Sequence, residues 1–565
     1  MIEQSLRDLV TAWIAQDPDE QTRAELTQLL ERAQTDATAV FDLIDAFRAP
    51  LEFGTAGLRG KLGAGPNRMN RVTVMQAAAG LALYLIEQGH AGEHVIIGCD
   101  ARHNSDVFAL DTASVLAGAG LVPVLFSHVV PTPVLAFAIR KLATCAGVMV
   151  TASHNPASDN GYKVYLGDGR QIVSPVDAHI ASHIRTVKDV RDLTLDKSWQ
   201  SVSEMILDDY ISSVARIVQE GPTTQEQRHE VIAVYTAMHG VGWLTLDAVV
   251  KEAGFKPLHS VLAQQEPDPD FPTVPFPNPE EEGAVDLAME HAAKLDADVL
   301  LANDPDADRL AVALPDESGK WSMLRGDQVG LLLAWWMSER ARRCGRELSG
   351  TYASSIVSSM MLKPLAASCH LDFANTLTGF KWVSRVPNLV FGYEEALGYC
   401  VNPNEVGDKD GISAAAVVLE LCAALKAEGR TLWDVLDELA LQFGEHRTSQ
   451  VSVRVTDLDQ VAEVMRKLRL QPPLEMAGLP ITSMDDLAEG IKDLPKTDAV
   501  ILHLGFADSD VHARVIVRPS GTEPKIKCYL EVVCQMPSLD HARNTAQQLL
   551  EQLAGAARPL LAGKE

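Results

Sequence analysis

A chain of 565 residues, 47% of them hydrophobic, has room for several packed domains, about three to five. Its formal charge of −27 argues against nucleic acid, whose affinity comes from cationic contacts to phosphate. Eight Cys without a C-x-x-C point to neither a zinc site nor a disulfide framework. Met1-Ile2-Glu3-Gln4 is not a basic start and no long uncharged apolar stretch follows, so neither signal peptide nor membrane span is expected and the cytoplasm is the expected location.

Residues 1–45 are charged and helix-patterned, with Leu6, Val10 and Trp13 and then Leu26, Leu29 and Leu30 on apolar stripes. They read as an N-terminal helical extension with a packing role. From about 50 to 220 strand-like runs alternate with helical ones: Val95-Ile96-Ile97-Gly98, Val122-Pro123-Val124-Leu125, Val148-Met149-Val150. A second alternation runs from Val231-Ile232-Ala233-Val234 to Val299-Leu300-Leu301, and a third covers 323–445. Pro267 to Pro279 reads as a loop inside the second unit. Alternation of this kind implies α/β layers with largely parallel strands. The end differs: Val451 to Val455, Val500 to Leu504 and Ala513 to Val517 read as strands beside two helices, an α+β domain. The expected divisions are 1–45, 46–222, 223–320, 321–445 and 446–565.

Chemistry-bearing strings sit at strand ends. Phe53-Gly54-Thr55-Ala56-Gly57-Leu58-Arg59-Gly60 is a Gly-rich turn ending in Arg59, without dinucleotide-site spacing. Thr151-Ala152-Ser153-His154-Asn155-Pro156 follows an apolar strand, and Asn155-Pro156 forces a turn that leaves Ser153 on a loop. After the turn signal Asn160-Gly161, a hairpin can bring Lys163 back over Ser153. Taken alone, Ser153 reads as a capping Ser. Asn303-Asp304-Pro305-Asp306-Ala307-Asp308-Arg309 again follows a strand, and carboxylates at alternate positions can converge on a hard cation such as Mg²⁺. An EF-hand is excluded because Arg309 replaces its Gly and Pro315 stands where its bidentate Glu belongs. A phosphatase of the haloacid-dehalogenase type also places Asp-x-Asp after a strand, but wants Thr or Val where Asp308 stands. Glu394, in Gly392-Tyr393-Glu394-Glu395-Ala396-Leu397-Gly398, could accept hydrogen bonds from sugar hydroxyls. Arg518-Pro519-Ser520-Gly521-Thr522-Glu523-Pro524-Lys525 offers Arg, hydroxyls and close backbone N–H groups to a phosphate, without P-loop spacing.

Together, and in this order, these strings resemble the α-D-phosphohexomutases, the phosphoglucomutase and phosphomannomutase superfamily. Thr378-Gly379-Phe380-Lys381 resembles that family's third-domain loop, and Pro305 stands at the Gly position of its metal loop. Ala396 stands where its sugar loop has Ser, and Gly-aromatic-Glu-Glu-Ala resembles the branch that includes phosphopentomutases. The resemblance implies three similar α/β domains with mixed sheets, plus a smaller C-terminal α+β domain, around a central cleft. It implies a phosphoserine at Ser153, with Arg59, His154 and Lys163 as further catalytic groups and Lys163 as general base. Mg²⁺ is implied on Ser153, Asp304, Asp306 and Asp308. Arg309, Lys381, Glu394 and Glu395 would bind sugar phosphate, and Arg518, Ser520, Gly521, Thr522 and Lys525 the non-reacting phosphate.

The reaction implied is glucose 1-phosphate ⇌ glucose 6-phosphate through a sugar 1,6-bisphosphate, with phosphopentomutase or phosphomannomutase activity as alternatives. A sugar-phosphate phosphatase and a non-catalytic sugar-phosphate binder are the readings from other classes. The phosphatase would use an Asp nucleophile, and the binder would have no need of Ser153 or the Asp trio. Sugar phosphates are the expected partners, with no nucleic acid and no membrane; the oligomeric state is not legible.

Overall fold

The computed structural model describes residues 2–54, 56–454, 458–491, 494–507, 509–519 and 525–562. They form two compact units, Met1–Leu324 with Asn402–Ala423, and Arg325–Val401 with Ala424–Glu565. Segment 402–423 packs with the first unit.

The first unit begins with helices Gln4–Gln16, Glu20–Arg32 and Ala37–Phe47. Asp19 and Asp36 cap the second and third by accepting the N–H groups of Gln21 and Thr38. Val10, Trp13, Leu26 and Leu43 close onto Val72 and Met75 of the helix Arg71–Glu87. The extension is thus packed onto the next domain by its apolar stripes.

Two sheets follow in this unit. The first, in spatial order, is Leu58–Lys61, Asp159–Leu166, Ala146–Val150, His94–Cys99, Val122–Leu125 and Gln200–Ser201. The second is Trp321–Met323, Leu310–Pro315, Val299–Asn303, Ala233–Thr236 and His259–Ser260. The other unit holds a third sheet, Asp372–Thr376, Thr351–Ser355, Leu389–Glu394 and Gly398–Cys400. All three mix parallel pairs with an antiparallel hairpin. The central strands Ala146–Val150 and Val299–Asn303 are buried along their whole length, which is why they read as continuous apolar runs. The fourth sheet is antiparallel throughout: Glu445–Arg454, Lys525–Cys534, Val511–Pro519, Val500–Gly505, Leu479–Asp486 and Glu475–Met476. Helices Leu458–Leu470 and Leu539–Ala562 accompany it.

The molecule thus has three similar α/β domains and a C-terminal α+β domain. The Ser153, Asp-trio and Glu394-Glu395 motifs fall at an equivalent place, the connection of an antiparallel hairpin, whereas Arg59 lies within a strand and Lys381 on a short helix. Ser153 lies between Ala146–Val150 and Asp159–Leu166, and the Asp trio between Val299–Asn303 and Leu310–Pro315. Glu395 and Ala396 lie between Leu389–Glu394 and Gly398–Cys400. Val511–Pro519 and Lys525–Cys534 pair antiparallel, and the motif residues between them, 520–524, lie outside the described residues. The Pro-rich stretch is ordered, with Phe271, Val274 and Ala284 packed on Met238. Among the described residues no helix is long and apolar enough to cross a membrane.

Candidate active site

The Ser153 loop leaves its strand through a left-handed residue, Ser153 itself, at φ 51°. Two features hold it. The Ser153 N–H donates to Thr151 Oγ1 at 2.9 Å. The buried Arg102 guanidinium gathers four loop carbonyls: Nη2 donates to Ser153 O (2.6 Å) and Asn155 O (2.5 Å), Nη1 to Pro156 O (2.7 Å) and Asp159 O (3.2 Å). Asp100 Oδ2 balances its charge at 3.4 Å from Arg102 Nε. The Ser153 hydroxyl donates to Asp304 Oδ2 at 2.6 Å and lies 3.3 Å from His154 Nδ1. Burial, then the neighbouring cations Arg309 and Arg59, hold the His154 imidazole well below its usual range, so it is neutral at pH 7.

Arg59 is brought in by the antiparallel pairing of Leu58–Lys61 with Asp159–Leu166, and its Nη1 donates to Asn155 Oδ1 at 3.2 Å. Gly57 makes that approach possible: at φ 75°, a Cβ there would stand 1.7 Å from Tyr162 O. Thr55 lies outside the described residues.

Asp304, Asp306 and Asp308 are fully buried, and one carboxylate oxygen from each lies within 4.8 Å of the others. Pro305 fits at the Gly position because the left-handed residue of this loop is Ala307, at φ 55°. Room for Pro305 comes from Gly240, where a Cβ would meet Pro305 Cα at 2.4 Å. Asp304 Oδ1 accepts the Arg309 N–H (3.0 Å). Asp306 Oδ2 accepts Thr132 Oγ1 (2.6 Å) and Lys163 Nζ (2.7 Å). Asp308 Oδ2 accepts Lys163 Nζ (2.9 Å), with Lys409 Nζ at 3.3 Å. The Oδ1 atoms of Asp306 and Asp308 are buried and accept no hydrogen bond. Arg309 Nε stands 3.9 Å from Asp308 Oδ1 and 4.0 Å from Asp304 Oδ2.

Burial and the charges of Asp306 and Asp308 push the Asp304 carboxyl well above the carboxylate range. Burial works the same way on Asp306, but Lys163 and Thr132 outweigh it and hold Asp306 low. On Asp308 burial and Asp306 are outweighed by Lys163, Lys409 and Arg309, so it too is lowered. For Lys163, burial favours the neutral amine, yet Asp306 and Asp308 prevail and raise it; the amine is a cation here. Three buried carboxylates on one loop, two of whose oxygens are left without donors, match a hard divalent ion with oxygen ligands.

In the other unit, Glu395 Oε2 accepts Ser358 Oγ (2.9 Å) and Ser355 Oγ (3.0 Å). Burial, then Glu394 and Asp327, raise its carboxyl to about 7. Leu397, next to Ala396, is left-handed at φ 62°. Lys381 is half-buried on the short helix Phe380–Val383. Burial and the Glu395 charge raise the Tyr529 phenol, with the charges of Arg518 and Glu394 also acting on it. Arg518, Glu394 and Glu395 therefore share one neighbourhood. Lys525 opens its strand opposite Arg454. Ser520, Gly521 and Thr522 lie outside the described residues.

The structure thus gathers Arg59, Ser153, His154, Lys163, Asp304, Asp306, Asp308 and Arg309 in one unit, while Lys381, Glu394, Glu395, Arg518 and Lys525 belong to the other. Sequence reasoning missed Arg102, Thr132 and Lys409. Asp100-Ala101-Arg102 at a strand end was the available signal for the first. Gly407-Asp408-Lys409-Asp410-Gly411 was a charged, Gly-flanked turn that could have flagged the third.

Family models for phosphoglucomutase/phosphomannomutase match in order: α/β/α domain I at 50–191, domain II at 208–319, domain III at 325–443 and the C-terminal domain at 451–547. A probable phosphomannomutase of Haemophilus influenzae is 47% identical over 82% of this chain and 93% of its own. A probable phosphoribomutase of Schizosaccharomyces pombe is 36% identical over 93% of each. Other relatives are named phosphopentomutase, in Homo sapiens, and phosphoglucomutase, in Staphylococcus aureus. A solved structure of a putative phosphomannomutase from Thermus thermophilus shares the fold, with TM-score 0.69 at 24% identity over 91% of this chain and 100% of that one.

Proposed function

The chain belongs to the phosphoglucomutase/phosphomannomutase family and is a phosphomutase, and on that premise we propose that it interconverts glucose 1-phosphate and glucose 6-phosphate through a phosphoserine at Ser153. The observation that carries this reading is the 2.6 Å contact of the Ser153 hydroxyl with the buried Asp trio. A nucleophile that must accept and return a phosphoryl group needs strong local positive charge and exclusion of water. Asp304, Asp306 and Asp308, with Ser153, would hold Mg²⁺, which when bound neutralises charge developing on the transferring phosphoryl group.

Ser153 carries the phosphoryl group, and Arg59, His154 and Arg309 surround it with donors. Lys163 takes the proton of the attacking sugar hydroxyl and returns it in the second half-reaction. Its amine is kept charged by Asp306 and Asp308; a cation drawing on the same carboxylates weakens that hold, which is what a base role requires. Glu394 and Glu395 accept hydrogen bonds from sugar hydroxyls, with Lys381 alongside. Arg518, Ser520, Gly521, Thr522 and Lys525 hold the phosphate that is not reacting. The sugar 1,6-bisphosphate formed midway reverses in the site before its other phosphate returns to Ser153.

A second reading, phosphopentomutase activity, is favoured by Ala396, which lacks the Ser hydroxyl of the family's sugar loop, and by the name of the Schizosaccharomyces pombe relative. The deciding experiment is a panel of glucose, mannose, ribose and glucosamine 1-phosphates, each with and without a 1,6-bisphosphate primer. Release of free sugar and inorganic phosphate without any primer dependence would replace the mutase reading with a phosphatase.

A further inference from the structure

Thr132 is the first residue of the helix Thr132–Lys141, and it is completely buried. A Thr-Pro pair at a helix start is unremarkable in sequence, since Pro133 belongs in a first turn. In the fold Thr132 makes two bonds to one residue 174 positions away. Its N–H donates to Asp306 O at 2.9 Å and its hydroxyl to Asp306 Oδ2 at 2.6 Å. The first bond fixes the backbone of the acidic loop. The second acts on the carboxylate alone.

The carboxylate's two oxygens are treated unequally. Oδ2 receives both the Thr132 hydroxyl and the Lys163 amine, which fills its two lone-pair directions. Oδ1 is buried and receives nothing. An oxygen so placed is costly unless a cation answers it. Resting on the reading that the Asp trio holds Mg²⁺, we propose that Thr132 is a positioning residue that locks the Asp306 carboxylate so that Oδ1 alone is presented to the metal. Lys163 cannot do this by itself, because its single ammonium is shared between Asp306 and Asp308 and its long side chain follows whichever carboxylate moves. A hydroxyl on a helix start, with its own backbone bonded to the same loop, is a fixed reference.

The test is Mn²⁺ binding to the full chain, followed by the electron paramagnetic resonance signal of the free ion, with Mg²⁺ competition. Wild type, Thr132→Val, Thr132→Ser and Asp306→Asn are compared, with melting temperatures at each step. Val keeps the shape and the N–H bond but removes the hydroxyl. Its Mn²⁺ affinity is expected to fall about 10-fold, with Ser restoring it to within about two-fold of wild type and melting unchanged in both. Thr132→Val with wild-type affinity overturns the proposal while leaving the metal site standing. Wild type that binds Mn²⁺ no better than Asp306→Asn overturns the metal site and the proposal together. If Thr132→Val does not fold, Thr132→Ala takes its place against Thr132→Ser, and equal affinities in that pair overturn the proposal.

Discussion

Ser153 occupies a left-handed backbone conformation, φ 51°, that costs a residue with a Cβ about 1 kcal/mol. Arg102 and Thr151 hold it there, and the reward is an Oγ aimed at Asp304 rather than at the strand. Ser153→Ala keeps the backbone bonds and removes only the hydroxyl proposed to accept phosphate. Turnover is expected to drop by more than about 10³-fold with melting nearly unchanged. Intact mass should show one phosphoryl adduct on wild type, mapped to Ser153, and none on the variant. An adduct at Asp304, or full activity in the variant, sinks the phosphoserine mechanism. Ala396 is the second informative residue. It has no hydroxyl to offer a pyranose, so on the proposed function discrimination rests on Glu394 and Glu395. One hydrogen bond is worth about 1 kcal/mol, or about five-fold in selectivity. Ala396→Ser should therefore raise the hexose-to-pentose ratio of kcat/KM by about that factor. An unchanged ratio would show that this position does not set the sugar.

Elements matter here because the same hairpin recurs, and because the fourth sheet is fastened by a buried acid. Glu531, on the strand Lys525–Cys534, accepts Ser359 Oγ (2.9 Å), the Met360 N–H (2.8 Å), His446 Nδ1 (2.9 Å) and Arg514 Nη2 (2.7 Å). Burial alone would raise its carboxyl, but Arg514, then His446 and the Met360 N–H, bring it down to about 2. A depressed acid contributes stability that is complete above its unfolded value and disappears as pH falls through the folded one. The shift from 4.5 to about 2 corresponds to about 3 kcal/mol. Glu531→Gln should thus melt well below wild type at pH 7, with the gap closing as pH drops from about 5 toward 2. A gap independent of pH would assign the loss to packing instead. The elements themselves were largely legible. Apolar runs such as Val148 to Val150 and Val299 to Leu301 are strands because both faces are buried, and the N-terminal stripes are helices packed on their neighbour. The hairpin carrying Lys163 was legible, though its turn was expected at Asn160-Gly161, which lie inside the strand Asp159–Leu166; the antiparallel strands of the second and third sheets were implied only through the family's mixed sheets. A five- or six-residue strand carries no mark of direction; only the short hairpin connections, such as 304–309, reveal it.

At the scale of the whole molecule, two compact units divide the candidate residues. The proposed nucleophile and the acidic trio belong to one, and the loops proposed to hold sugar and phosphate to the other. What was legible in sequence was each motif's own string, because a strand end followed by a turn concentrates its chemistry locally. What was not legible was the support. Arg102 reaches carbonyls 51 to 57 positions away, and Lys409 meets Asp308 only because segment 402–423 belongs to the first unit. Such pairings are set by topology and leave no local pattern. The division also makes a prediction, since reacting and holding can be removed separately. A charge-assisted hydrogen bond to phosphate is worth about 1.5–3 kcal/mol, so Arg518→Ala should raise KM for glucose 1-phosphate about 10- to 100-fold. Because Arg518 is half-buried at the end of its strand, melting should change little. The phosphoryl adduct on Ser153 should persist in that variant. Ser153→Ala should do the reverse, binding glucose 6-phosphate within a few-fold of wild type by calorimetry while failing to turn it over. Loss of the Ser153 adduct in Arg518→Ala, or loss of glucose 6-phosphate binding in Ser153→Ala, would mean that the two sets of residues do not work as separable halves.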